Sequence, residues 1–344
     1  MKLGIIGLTG CGKSTVFDAL THDISEAGQK KESRIGTVRV PDSRIDILSS
    51  MYRPKKTIYA QVEYFLPGLM GQSPDKQKEQ SIWTQVRDCQ ALIHVVRNFK
   101  IFGGEPPDPT GDFAVLNQEL VLSDLVVVEK RLERLEHDSK RGNKYNPEEH
   151  ALLQACLKHL ENETPLRNFP ELANAPLLRG YAFLSAKPML VLFNNEDEDT
   201  SFPDAGDLTQ TEDCIVIRAK LEQELAQMSD EEAKEFLAEF SIQASAMDRV
   251  IHRSYALLGL ISFFTVGEDE VRAWTIPEGT LAVDAAETIH TDLKKGFIRA
   301  EVISYDDLMD AGTYAEARKK GTVRLEGKNY PVQNGDILNI RFNV

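Results

Sequence analysis

Residues 7 to 14 have the types and spacing to hold a polyphosphate: Gly7-Leu-Thr-Gly-Cys-Gly-Lys-Ser14 is a complete Gly-x-x-x-x-Gly-Lys-Ser phosphate-binding loop. Gly7, Gly10 and Gly12 let the backbone turn until successive N–H groups face one anion. The candidate phosphate ligands are therefore Gly10, Cys11, Gly12, Lys13, Ser14 and Thr15. Lys13 brings a point charge to the outer phosphates, and the Ser14 hydroxyl is placed to ligate Mg²⁺. A glycine-rich turn can match such a pattern by accident, but the flanks oppose that reading. Leu3 to Ile6 is a short apolar run suited to a strand, and Thr15-Val-Phe-Asp-Ala-Leu20 has helical spacing. Strand, loop and helix together imply a bound nucleoside di- or triphosphate. Cys11 sits near the start of that helix, a place that tends to lower a thiol pKa. It reads as a tolerated small side chain in preference to a redox switch.

These residues need a sheet to position them, and the first half alternates strand-like and helix-like segments as an α/β sheet does. Tyr59 to Leu66, Ala91 to Val96, Met189 to Phe193 and Cys214 to Ile217 read as strands, with a helix over Ser81 to Asp88. Between them lie two amphipathic helices, residues 113 to 137 and Glu148 to Leu160, joined by a polar break around Gly142. They predict an antiparallel hairpin, read equally as a structural insert or a partner-binding arm. From Leu260 onward short strands dominate: Ile261 to Val266, Glu270 to Ile276, Gly296 to Ile303, Thr322 to Leu325 and Ile337 to Phe342. Helices are predicted there over Thr288 to Lys295 and Tyr305 to Lys320. The fold class is α/β, with a P-loop nucleotide domain over residues 1–259, a hairpin at about 113–165, and a separate mixed α/β domain over 260–344.

Composition sets outer bounds. The 344 residues carry a net charge of −14, with 42% hydrophobic and 27% charged residues. That balance disfavours a general nucleic-acid coat or an anionic-membrane protein, because such affinity comes from Lys and Arg. The four cysteines, Cys11, Cys89, Cys156 and Cys214, show no zinc-like pairing and read as reduced thiols. No apolar run is long enough for a membrane span, so a cytoplasmic protein is expected.

Two stretches carry a family resemblance: the phosphate loop, and Glu270-Val-Arg-Ala-Trp-Thr-Ile276 with the run from Ile289 through Asp307. The chain resembles the YchF group, the Obg-like ATPases of the Obg family of P-loop NTPases. The likeness extends through Asn117 to Asp124, Val128 to Glu133, and the tail from Leu325 to Val344. It implies a Ras-like nucleotide domain, an inserted helical hairpin and a C-terminal TGS domain. It also implies ATP or GTP with Mg²⁺ as ligands, ATP often being preferred, ribosome or RNA contact through the TGS domain and hairpin, and a role in translation or stress responses. The departures are specific. The first-switch Thr of the family falls in Gln29-Lys-Lys31, which has no hydroxyl. The second-switch Asp-x-x-Gly is Phe65-Leu-Pro-Gly68 here, and Phe65 cannot accept a hydrogen bond. The glycine-rich stretch that follows is replaced by Gly71 to Glu79, although Leu69 keeps the family's hydrophobic residue. Slow hydrolysis is therefore one reading, and a nucleotide-sensing module without hydrolysis is the other.

Guanine readers use Asn-Lys-x-Asp, whose Asp accepts two hydrogen bonds from the base; the YchF pattern is Asn-x-x-Glu. Aligned without gaps, this chain offers Asn194-Asn-Glu-Asp197; slid by one residue it offers Asn195-Glu-Asp-Glu198. Both registers stay open on sequence alone. Arg218-Ala219-Lys220 matches the family's last base-contacting loop, so the candidate base ligands are Asn194, Asp197, Ala219 and Lys220. His94, inside an apolar strand, reads as a satisfied core histidine. His290, Lys294, Lys295 and Arg299 read equally as a solvated surface or an RNA contact. Ser229-Asp-Glu-Glu232 is a capping box opening a helix toward Phe240.

Overall fold

The computed structural model describes residues 1–22, 32–68, 82–141, 146–239 and 245–343. Gln29 to Lys31, Leu69, Gly71 to Glu79, Gly142 and Phe240 lie outside the described residues. Where the linear reading draws one cut after residue 259, the chain forms two compact units with three cuts. One unit is Met1–Thr37 with Glu63–Val250; the other is Val38–Val62 with Ile251–Val344.

The first unit is built on a six-stranded sheet in the order β2-β4-β1-β5-β6-β7. Its strands are β1 (Lys2–Ile6), β2 (Arg34–Arg39), β4 (Gln61–Leu66), β5 (Ala91–Asn98), β6 (Met189–Asn195) and β7 (Asp213–Ile217). The pairs β1–β4, β1–β5, β5–β6 and β6–β7 are all parallel. Every residue of β6 is buried, which explains why it reads as a continuous apolar run without alternation. Helix α1 (Lys13–Thr21) follows β1 and buries Val16, Phe17, Ala19 and Leu20. A short helix α3 covers 82–86.

Between β5 and β6 the chain leaves the sheet through α4 (Pro109–Lys140) and returns through α5 (Pro147–Glu161). Both helices start on side-chain caps followed by proline. Asp108 accepts from the Gly111 N–H at 3.0 Å and Asn146 from the Glu148 N–H at 3.0 Å. The first half of α4 covers the sheet with Leu116 and Leu120. The second half packs Val128, Leu132 and Leu135 against Leu153, Cys156 and Leu160 of α5. Arg131 meets Glu149 at 2.9 Å while Gln118 reaches Glu163 at 3.2 Å, so the two helices run antiparallel. The family-like stretch Asn117 to Asp124 fastens this arm. Asn117 accepts from Arg167 at 2.8 Å, and the fully buried Asp124 accepts from the backbone N–H of Leu184 and Ser185 at 2.9 and 2.6 Å. The remaining helices of this unit are short: α6 (Pro170–Ala173), α7 (Leu208–Thr211), α8 (Ala219–Leu225) and α9 (Asp230–Glu239). The capping box before α9 forms as expected, with Ser229 N–H donating to Glu232 at 2.9 Å and Glu232 N–H returning to Ser229 Oγ at 3.3 Å. Helix α10 (Ala246–Leu257) runs across the last cut.

The second unit is a mixed sheet ordered β11-β10-β12-β8-β9-β3. Its strands are β3 (Lys56–Ile58), β8 (Leu260–Val266), β9 (Glu270–Pro277), β10 (Phe297–Ser304), β11 (Arg324–Glu326) and β12 (Asp336–Phe342). Residues 38–62 belong here because β3 pairs in parallel with β9 beside α2 (Ser43–Tyr52). The single helix expected over Thr288 to Lys295 is two, α11 (Ala282–Ile289) and α12 (Thr291–Lys295), with His290 capping the second. The expected Tyr305 to Lys320 helix also divides, into α13 (Tyr305–Ala311) and α14 (Tyr314–Lys320). Gly312 adopts φ 76° and Thr313 caps the new start.

Candidate functional site

All the predicted site residues lie at the carboxyl ends of parallel strands, where open α/β sheets place their ligands. The loop between β1 and α1 needs its glycines for identifiable reasons. Gly7 has φ 152°, and a Cβ there would sit 2.4 Å from the Val95 carbonyl oxygen. Gly12 has φ 99°, and a Cβ would lie 2.3 Å from Asn194 Nδ2. That left-handed residue turns the chain so that α1 begins at Lys13 with its free N–H groups toward the loop.

The Lys13 ammonium is curled over the loop, donating to the carbonyls of Gly7 at 2.8 Å and Leu8 at 2.7 Å. It is the positive charge available to a phosphate at this point. Gly10, Gly12, Lys13, Ser14 and Thr15 line a cavity of about 310 Å³ together with Thr9, Glu32, Arg34, Leu66, Pro67 and Phe99. Cys11 is predicted as a ligand through its backbone, and its side chain is buried beneath the loop. Burial pushes the Cys11 thiol above its usual range, outweighing the nearby Lys13 charge. The lowering expected from the helix terminus is thus overridden by desolvation.

Arg34 was not marked by any motif. Its guanidinium pairs with Asp18 at 2.7 Å and stacks over the Phe17 ring at 4.4 Å, bringing a second cation to the cavity wall. The β2 sequence, Arg-Ile-Gly-Thr-Val-Arg, carries no motif that singles out Arg34.

The four base-site candidates come together from two strand ends. Asn194 at the end of β6 donates to the Cys11 carbonyl at 3.0 Å and accepts from the Ala219 N–H at 3.0 Å. One side chain thereby ties the phosphate loop to the loop after β7. The Asp197 side chain is 41% exposed, and its carboxylate lies 3.9 Å from the Lys220 ammonium. Arg218 donates to the Asp197 carbonyl at 3.2 Å. Asn195 is occupied elsewhere: it donates to the carbonyls of Asp199 and Ser201 at 3.2 and 2.8 Å and accepts from Asn98 at 2.9 Å. Of the two asparagines, Asn194 is the one that bonds both the phosphate loop and the loop after β7.

Phe65, at the place of the second-switch carboxylate, is 6% exposed and packs in a core cluster with Ile6, Val86 and Leu92. Leu66 and Pro67, the next residues, supply the cavity wall. None of these three side chains carries an oxygen. Among the described residues, no group of three or more His, Cys, Asp or Glu could hold a metal ion. The donor set at the loop still suits Mg²⁺, which takes few protein ligands and completes its shell with phosphate oxygens and water. Ser14 Oγ would supply the protein oxygen.

His94 is buried on β5 and stacked on Phe113 at 5.2 Å. Neither ring nitrogen has a hydrogen-bond partner among the described residues, so it is not the satisfied core histidine expected. Burial first, then the charges of Arg167 and Lys13, lower its pKa to about 3 and keep the ring neutral.

Comparison with known proteins finds relatives that match the chain over its full length. Residues 260–343 match the family model YchF-GTPase_C, described as a protein of unknown function (DUF933). A curated Bacillus subtilis protein named ribosome-binding ATPase YchF is 36% identical over 365 residues, covering 100% of both chains. The Escherichia coli O157:H7 protein of the same name is 38% identical over 360 residues, covering 100% of this chain and 99% of its own. The solved structure of the Schizosaccharomyces pombe YchF GTPase superposes with a TM-score of 0.85 at 29% identity, covering 99% of this chain and 97% of that one. The fold is thus an α/β P-loop domain with an inserted helical hairpin and a YchF-type C-terminal domain, and the chain belongs to the YchF family.

Proposed function

We propose that the chain binds a purine nucleoside triphosphate with Mg²⁺ and hydrolyses it slowly. The observation that carries this is the loop from Gly7 to Ser14, with Gly12 in the left-handed conformation and Lys13 held over it. The loop N–H groups and the start of α1 neutralise the phosphates, Lys13 adds charge at the outer ones, and Ser14 would hold Mg²⁺, which polarises the phosphate oxygens when bound. Fixed donors of this kind stabilise charge spread over the transferring phosphoryl without a side-chain base. Asn194 keeps the phosphate loop and the base loop in register.

Phe65 favours a second reading, a nucleotide-sensing module that has lost turnover, because a ring packed in the core neither accepts a hydrogen bond nor follows the γ-phosphate. Single-turnover assays with radiolabelled ATP and GTP separate the two. Phosphate release above a Lys13→Ala control supports the enzyme; release equal to that control leaves the sensing module.

The partner reading rests on the relatives, two of which are named ribosome-binding ATPases. Association with ribosomes, through the TGS-like C-terminal domain over residues 260–344 and the hairpin over about 113–165, places the protein in the cytoplasm. No helix among the described residues is long and apolar enough to cross a membrane. Co-sedimentation of the full chain with ribosomes, with and without nucleotide, tests it; no co-sedimentation in either state removes the ribosome from the reading.

A further inference from the structure

We infer that the second unit binds a small uncharged molecule in a cleft of its own sheet, with a lining that shares no residue with the nucleotide cavity. Strands β8 and β12 run parallel and pair at Ile337 and Phe264. Past that point each strand stays with its outer neighbour. Thr265 and Val266 of β8 pair with Arg272 and Val271 of β9, while Leu338 to Arg341 of β12 pair with Val302 back to Arg299 of β10. The two inner edges are not drawn together, and a cavity of about 360 Å³ lies beside them. Its strand wall is Thr265, Val266, the stretch from Ile337 to Ile340, and Phe342. Helices complete it with Tyr52 from α2, Ile289 from α11, Leu293 from α12 and Tyr314 from α14. Every one of these residues belongs to the second unit.

The lining decides what fits. None of its side chains carries a formal charge at neutral pH. Burial keeps both phenols protonated, raising Tyr52 above its usual range and Tyr314, with the Glu301 carboxylate beside it, to about 12. A phosphate, carboxylate or ammonium would lose its hydration there and meet no counter-charge. The apolar surface is incompletely covered: Val266, Ile289, Leu293 and Ile340 are half-buried, and Phe342 is 47% exposed. Apolar side chains converging on a hollow gain from a ligand that covers them. One polar group is also left over. Thr265 accepts from Trp274 at 2.9 Å and Tyr314 donates to Glu301 at 3.3 Å. The Tyr52 hydroxyl, shielded from solvent, has no hydrogen-bond partner among the described residues. A donor in that state carries a desolvation penalty, which a ligand acceptor at the Tyr52 end would relieve. The ligand class is therefore an uncharged molecule with a compact aromatic or branched aliphatic body and one acceptor, such as a carbonyl oxygen. The volume, near the lower end of the roughly 300–1,000 Å³ of small-molecule sites, limits its size.

Titration of the full chain with prodan, an uncharged fluorescent naphthalene bearing one ketone, tests this against anilinonaphthalene sulfonate, a negatively charged aromatic probe. Prodan is expected to bind at one saturable site, at least about tenfold tighter than the sulfonate, with or without saturating ATP or GTP. Val266→Phe narrows the cavity and is expected to lower prodan affinity at least about tenfold. Ile289→Phe takes its place in the assay if circular dichroism shows Val266→Phe to be unfolded. Tyr52→Phe keeps the ring and removes the donor, so affinity is expected to fall about threefold. Emission of the bound probe is expected to shift to the blue as its ketone loses a hydrogen bond, which a wall residue without a polar role would not cause. The site is overturned by absence of saturable binding, by tighter binding of the sulfonate, or by binding indifferent to the narrowing variant. Displacement of prodan by ATP or GTP places the probe in the nucleotide cavity and overturns it equally. Unmoved emission in Tyr52→Phe overturns the hydroxyl contact. If prodan is released as chain concentration rises and sedimentation shows a dimer, the cavity receives a second copy and the small-molecule assignment falls.

Discussion

Replacing Asn194 with alanine removes two hydrogen bonds that join separate loops, and the cost follows from what is left behind. The Cys11 carbonyl and the Ala219 N–H lose partners at 3.0 Å each. Asn194, Cys11 and Ala219 are all buried, and Asn194 Nδ2 would lie 2.3 Å from a Cβ on Gly12, so packing at the bracket is tight. Each lost bond is worth about 0.5–1.5 kcal/mol net, and an orphaned buried group costs about 1–3 kcal/mol. The expected loss is about 2–4 kcal/mol in the first unit. The same change frees the phosphate loop from the base loop, so nucleotide affinity is expected to fall at least about tenfold, or about 1.4 kcal/mol. The chain's two tryptophans, Trp83 and Trp274, lie one in each unit. In a Trp274→Phe background, Trp83 fluorescence during urea unfolding therefore reports on the nucleotide unit alone. Asn194→Asp keeps the acceptor for Ala219 but sets a carboxylate against the Cys11 carbonyl, so it is expected to do no better than alanine. A loss below about 0.5 kcal/mol with unchanged nucleotide affinity would refute the bracket.

Two further outcomes follow from buried groups. His94 titrates near 6.5 when unfolded but only near 3 when folded, so between these values the unfolded chain binds the extra proton and stability rises with pH. From neutral pH to pH 5 the wild type should lose about 2 kcal/mol more than His94→Leu; parallel pH profiles in the Trp83 assay would contradict it. Phe65→Asp restores the family's acidic residue but places it in an apolar cluster, so it should destabilise the first unit by about 3–5 kcal/mol and leave single-turnover hydrolysis no faster than wild type. A stable variant with accelerated phosphate release would show that the carboxylate reaches the cavity.

Much of this was legible in the sequence wherever one local rule decided the outcome. The phosphate loop, the apolar run Met189 to Phe193 of β6, the capped hairpin helices and the capping box at Ser229 each carry their own signal within a few residues. What was illegible depended on distant partners. β3 is three residues long and exists as a strand because β9 receives it. Arg34 matters because Asp18 and Phe17 hold it at the cavity. The choice between Asn194 and Asn195 could not be read from either residue, since it is set by which of them meets Cys11 and Ala219. His94 looked satisfied because a buried histidine usually finds a partner; its neighbours on β5 are Ile93 and Val95, and its stacking partner is Phe113.

The site divides by the kind of group that does the work. In the proposed site, phosphate contact would rest on backbone N–H groups, a helix terminus and one lysine, and these depend on glycine positions that a Cβ would block. Sensing of the γ-phosphate and reading of the base rest on single side chains. The backbone contacts survive any change that preserves the turn, whereas Lys13 and the second group each depend on one side chain. Phe65 illustrates the point, because a ring at that position adds about 1.5–3 kcal/mol of apolar burial in place of a carboxylate. Asp197 is the reverse case, a part-exposed side chain outside the core, 3.9 Å from the Lys220 ammonium. A chain can therefore keep the family's fold and phosphate cradle while its response to the γ-phosphate and its choice of base move independently.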